Sequence, residues 1–114
     1  MRFEDIRAFI PCKDYAISIA FYEEIGFSSE PVSEDLTLIY NGDCYAFLQQ
    51  FYREDFAQNF MLQICVEDIQ EAHSRSSNSV HKTKISAITN ESWGKVFYLW
   101  GPSGELLHIT ELHH

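Results

Sequence analysis

The sequence predicts an α+β fold built of two tandem βαβββ modules, whose strands curl into a mainly antiparallel cup. Three observations predict it. A strand running through an Asp into a helix is written twice, as Ile10-Pro11-Cys12-Lys13-Asp14 and as Ile64-Cys65-Val66-Glu67-Asp68. The same order of short apolar runs follows each copy, which implies one small unit repeated half a chain later. At 114 residues, with 46% hydrophobic and 15% aromatic content, the chain is long enough for one packed domain over 1–114. Paired strand–helix units curve a sheet, and curved sheets hold small molecules.

Residues 6–12 read as the first strand, and the Asp14 carboxylate is placed to accept an N–H at a helix start. Ile17, Ala20, Phe21 and Ile25 recur at helical spacing over 15–25, and Gly26 supplies a left-handed stop. An extended segment at 27–33 is followed by a strand over 36–40, apolar on both faces. Asn41-Gly42 signals a hairpin, and the return strand runs from Cys44 to Phe51. These elements make the first module, 1–51.

Residues 52–59 are polar and without a clear period, and read as the connection between modules. The second module spans 60–112. It opens with a strand over 60–66, and Asp68 with Glu71 three residues on approximates a capping box for a helix over 69–77. Strands over 82–89, 95–100 and 105–112 follow, the last two joined by Gly101-Pro102-Ser103-Gly104.

Charge and cysteine usage narrow the function classes. Seventeen acidic against eight basic residues give a net charge of −9, with no clustered Lys and Arg to meet nucleic acid. No apolar run is long enough to span a bilayer, and Met1-Arg2-Phe3-Glu4-Asp5 does not read as a secretory signal. Cys12, Cys44 and Cys65 form an odd set without a C-x-x-C pair, as expected of reduced, buried thiols in a cytoplasmic protein. There is no glycine-rich phosphate loop, nucleophile elbow or dinucleotide fingerprint.

The segment Ile10 to Asp14, followed by Ser18-Ile-Ala-Phe21-Tyr22-Glu23-Glu24-Ile25-Gly26-Phe27, resembles the opening of the vicinal-oxygen-chelate superfamily, which holds glyoxalase I, extradiol dioxygenases and bleomycin-resistance proteins. Val66 to Ala72 is similar to the start of that superfamily's second module, and Gly94 to His108 to its final hairpin. The bleomycin-resistance branch is nearest, with a comparable Trp93-Gly94 before the last hairpin. The resemblance implies a glyoxalase/bleomycin-resistance fold, a homodimer with a shared cleft, and drug binding of the antibiotic-resistance kind. It also implies metal-ligand positions at Arg7, at Phe47 or Gln49, at Met61 and at His108. Only His108 is a usual ligand, and a permanently protonated Arg cannot bind a cation, so no metal and no cofactor are expected.

Strand alternation puts Arg7, Phe47, Gln49, Met61, Gln63, Tyr98, Trp100 and His108 on the concave face if Ile10, Leu62, Ile64, Leu107 and Ile109 pack under the helices. With Trp93 as an aromatic over the cleft, these are the candidate ligand-binding residues. The competing reading is that the aromatics plug a small barrel or a dimer seam, that Arg7 pairs with Glu105 or Glu111, and that Trp93 anchors its loop. No catalytic residue is assigned; His108 is the one general-base candidate, with no partner evident to orient it. His73 and His81 read as surface residues, and the terminal His113 and His114 are left out of any metal argument.

The expected function is therefore non-catalytic binding of an aromatic or amphipathic small molecule in a dimer cleft. The alternatives are a divergent metal-dependent enzyme of glyoxalase or dioxygenase type, and a dimeric interaction module without a ligand pocket.

Overall fold

The two Asp residues of the repeated signal do the same work in space. Asp14 Oδ1 accepts the Ile17 N–H at 3.1 Å, and Asp68 Oδ1 accepts the N–H groups of Gln70 and Glu71 at 3.0 and 3.2 Å. Each thereby satisfies donors that the first turn of a helix leaves without partners. The computed structural model describes residues 1–113; His114, with any reading of it, lies outside the described residues.

The first half runs β1 (Phe9–Pro11), α1 (Tyr15–Glu24), β2 (Ser28–Ser33), β3 (Leu36–Asn41) and β4 (Cys44–Gln49). After a short helix, α2 (Glu54–Gln58), the second half runs β5 (Met61–Cys65), α3 (Ile69–Ser77), β6 (Lys84–Ile85), β7 (Thr89–Glu91), β8 (Gly94–Trp100) and β9 (Leu106–Leu112). One sheet has the order β1-β4-β3-β2; the other has β5-β9-β8-β6, with β7 also on β8. In both, the strand before the helix pairs in parallel with the last strand and all other pairings are antiparallel. The fold is thus α+β, with two mixed, mainly antiparallel sheets as the repeat predicts.

Alternation sorts the faces. Ile10, Ala46, Leu48, Ile39, Phe97, Leu99, Leu107 and Ile109 are buried with Phe21 and Tyr22 of α1 and Ile69 of α3 in one core shared by both halves. Leu62 and Ile64 pack against that core from β5. The opposite faces carry the alternating set and remain open.

Four details differ from the sequence reading. The first strand is shorter than 6–12: Ile6 and Arg7 lie outside it, and Ile6 is exposed. The β3–β4 loop is Gly42-Asp43, because Asn41 already pairs with Cys44; only Gly42, at φ 58°, takes the left-handed conformation, and the Asn41 amide instead donates to the Gly26 carbonyl. The segment 52–59 contains α2, whose Ala57 is fully buried. The strand expected over 82–89 is broken in two, because the Tyr98 N–H donates to Ser86 Oγ at 2.8 Å where a ladder carbonyl would accept it.

Candidate functional site

The open face of the first sheet is built on Phe47, which pairs in register with Phe9 on one side and Leu38 on the other. The Phe9 and Phe47 rings lie 5.0 Å apart, and Tyr40 and Tyr45 6.1 Å apart. Arg7, though outside the strand, lays its guanidinium 4.8 Å from the Tyr45 ring centre and 5.8 Å from that of Phe47. Its carboxylate partner is Asp5, with Arg7 Nε donating at 2.9 Å. Glu105 and Glu111 are committed elsewhere: Glu105 is fully buried, and Glu111 Oε1 accepts the Ile69 N–H at 3.1 Å. The guanidinium beside it holds the exposed Asp5 carboxyl below the usual carboxylate range.

On the second sheet the rows across the open face are set by register. Met61, Leu106, Trp100 and Lys84 form one row, and Gln63, His108 and Tyr98 the next. The Tyr98 ring meets the His108 ring edge-on at 5.0 Å and lies 6.3 Å from that of Trp100. Lys84 Nζ sits 4.9 Å from the centre of the Trp100 ring, a cation–π distance. Trp93 is half-exposed in the turn before β8, and its carbonyl accepts the His113 N–H.

Eight of the nine candidate residues are therefore divided between two faces, and Trp93 lies in the turn before β8. Gln49 alone among them lines a cavity of about 520 Å³, whose other walls are Phe9, Pro11, Phe51, Asp55, Phe56, Asn59 and Phe60. Phe51 and Phe56 face each other at 6.5 Å, and the Arg53 guanidinium covers Phe56 at 4.6 Å. Sequence reasoning passes over this aromatic wall because it takes 52–59 as a plain connection. The signals were the spacing of Phe51, Phe56 and Phe60 and the acidic pair Glu54 and Asp55 at a helix start. A second groove of about 570 Å³ runs between the halves, lined by Cys44, Cys65, Asn41, Arg75 and the residues that open α3.

Beneath the faces, Tyr22 Oη donates to Glu105 Oε2 at 2.9 Å, and the Ser103 N–H donates to Glu105 Oε1 at 2.9 Å. Burial pushes the Glu105 carboxyl above its ordinary range; burial and the facing carboxylate push the Tyr22 hydroxyl well above a normal phenol. Burial also raises the neighbouring Cys12 thiol to about 11. Cys44 and Cys65, expected to be buried, are exposed, since each stands at the end of a strand.

The positions that the resemblance marks for a metal do not fit one. Arg7 is paired with Asp5, Met61 is 63% exposed with only a thioether to offer, and His108 packs on a tyrosine ring. Among the described residues no three His, Cys, Asp or Glu side chains gather to hold an ion. Nor, among the described residues, is any helix long and apolar enough to cross a membrane.

No protein-family model and no curated protein matches the chain in sequence. Solved structures do match in three dimensions. A bleomycin-resistance determinant encoded on transposon Tn5 superposes with a TM-score of 0.78 at 21% identity, over 97% of this chain and 100% of its own. The bleomycin-binding protein of bleomycin-producing Streptomyces verticillus, solved with copper(II)-bleomycin, gives 0.82 at 17% identity over 99% of each chain. An antibiotic-binding protein from a Streptomyces species gives 0.82 at 15% identity, again over 99% of each. The fold is that of the glyoxalase/bleomycin-resistance proteins.

Proposed function

We propose that this protein binds a small aromatic or amphipathic molecule without altering it, and holds it in a cleft that two copies of the chain complete together. The observation that carries this reading is the aromatic character of both open sheet faces, with the Phe-walled cavity beside Gln49 at their margin. Rings of this kind offer stacking surface, and the few polar groups among them, Gln49, Gln63, Tyr98 and His108, fix orientation. The solved bleomycin-binding proteins support it, because the same scaffold holds a drug in them. Among the described residues no donor set for a metal gathers, and no hydrogen bond or ion pair joins His108 to a carboxylate.

A shared cleft is supported by how the faces are left in one protomer. Met61, Gln63, Tyr98, Trp100 and His108 line neither cavity described above, and Phe9, Tyr45 and Met61 remain exposed. A second copy laid over them would enclose a ligand and cover apolar area together.

Thermal-shift screening of planar aromatic compounds tests the reading, since a molecule that binds only the native state raises the melting temperature. Reproducible shifts are expected, with a dimer in sedimentation equilibrium. No shift from any compound would favour an assembly module, and a stoichiometric divalent metal in the purified protein would favour the metal-dependent enzyme instead.

A further inference from the structure

The strands of the second open face are poor in acidic residues for so acidic a protein. The chain carries seventeen Asp and Glu, yet the strands of this sheet hold only Glu91 and Glu111. Glu111 points to the helix side, where it caps α3 through Ile69. Glu91 pairs with Gly94, at the opposite end of β8 from Trp100. What remains around Trp100 and Tyr98 is an ammonium, an imidazole, an amide and a phenol, from Lys84, His108, Gln63 and Tyr98.

Lys84 is exposed, and none of the ion pairs among the described residues involves it. Its ammonium is held instead over the Trp100 ring, at the rim of the surface that would stack on a planar ligand. Arg7, the cation on the first face, already has Asp5. We infer that the second face accepts planar aromatic molecules carrying an anionic group, a carboxylate above all, with the ring against Trp100 and Tyr98 and the anion on Lys84. The inference rests on the proposed binding role of the open faces and narrows the ligand's chemistry.

Three probes of one shape separate the possibilities: 2-naphthoate, 2-naphthamide and 2-naphthylmethylammonium, titrated calorimetrically at low ionic strength into the wild-type protein and Lys84→Gln. Naphthoate is expected to bind at least about tenfold tighter than either of the others, the size of one charge-assisted contact. Lys84→Gln is expected to erase that preference, bringing naphthoate to the affinity of naphthamide, and to leave the melting temperature unchanged, since the side chain lies exposed on a short edge strand. Equal binding of all three probes, tighter binding of the ammonium, or a preference that survives Lys84→Gln would overturn the anion assignment and leave small-molecule binding standing. Failure of all three probes, together with a blank thermal-shift screen, would overturn both.

Discussion

Tyr22 and Glu105, one from α1 of the first half and the other from the β8–β9 turn of the second, are both fully buried and joined by a hydrogen bond of 2.9 Å. The bond ties the halves at their shared core. A second tie runs beside it, from the Lys13 N–H to Ser103 Oγ at 2.9 Å, and Ser103 in turn donates its own N–H to Glu105. A carboxyl here is out of water, and burial pushes it above the ordinary carboxylate range.

The sign of the pH dependence follows. Because the folded value lies above the unfolded one, the contribution of Glu105 to stability is fully present below the unfolded value and is lost as pH rises through the folded value. Glu105→Gln, which keeps the shape but cannot ionise, is expected to flatten the fall of melting temperature on going from acidic to neutral pH. A wild-type and a variant curve with equal slope would contradict it. Glu105→Ala, which orphans the Tyr22 hydroxyl and the Ser103 N–H, is expected to cost about 3 kcal/mol in denaturant titration.

Gly101 is the wall against which Glu105 rests. A Cβ added there would lie 2.4 Å from the Glu105 carboxyl carbon, so the side chain must leave its place. Gly101→Ala is expected to destabilise by about 2 kcal/mol, of the order seen for overpacked cores. The same variant should lose the pH slope that Glu105 imposes, which distinguishes displacement of this carboxyl from general strain in the turn.

The three thiols are expected to divide by access and charge. Cys44 and Cys65 are exposed, whereas Cys12 is buried and its thiol is pushed up to about 11. At mildly alkaline pH a disulfide reagent should therefore label Cys44 and Cys65 in the native protein, and reach Cys12 only after denaturant is added. Rapid labelling of all three in the native state would show that the core around Cys12 opens.

Much of this was legible because backbone signals carry it. Asp14 and Asp68 mark the starts of α1 and α3 by cap chemistry that depends on neighbours two or three residues away. The period of two in β4, β8 and β9 sorts Phe47, Tyr98 and His108 from Leu48, Leu99 and Leu107 without any tertiary knowledge. What was not legible is set by contacts distant in the chain. The break between β6 and β7 depends on Ser86 meeting Tyr98, and the commitment of Glu105 depends on Tyr22, 83 positions away. The Phe51–Phe56 wall was hidden for another reason: α2 has five residues and no side-chain cap, so its local signal is faint and burial of Ala57 holds it in place.

That wall provides a direct test of where an apolar ligand rests. Phe56 is 52% exposed, tilted against Phe51 and covered by Arg53, so it supports little of the core. Phe56→Ala is expected to change stability by no more than about 0.5 kcal/mol, as surface truncations do. The same truncation removes one side of the cavity that also holds Phe9 and Phe60, and with it a stacking partner. Compounds that raise the melting temperature of the wild-type protein should bind the variant about tenfold more weakly, the order of one lost aromatic contact. Undiminished affinity would mean that the ligand uses the open sheet faces alone, and that the cavity beside Gln49 is a by-product of how α2 folds back on β1.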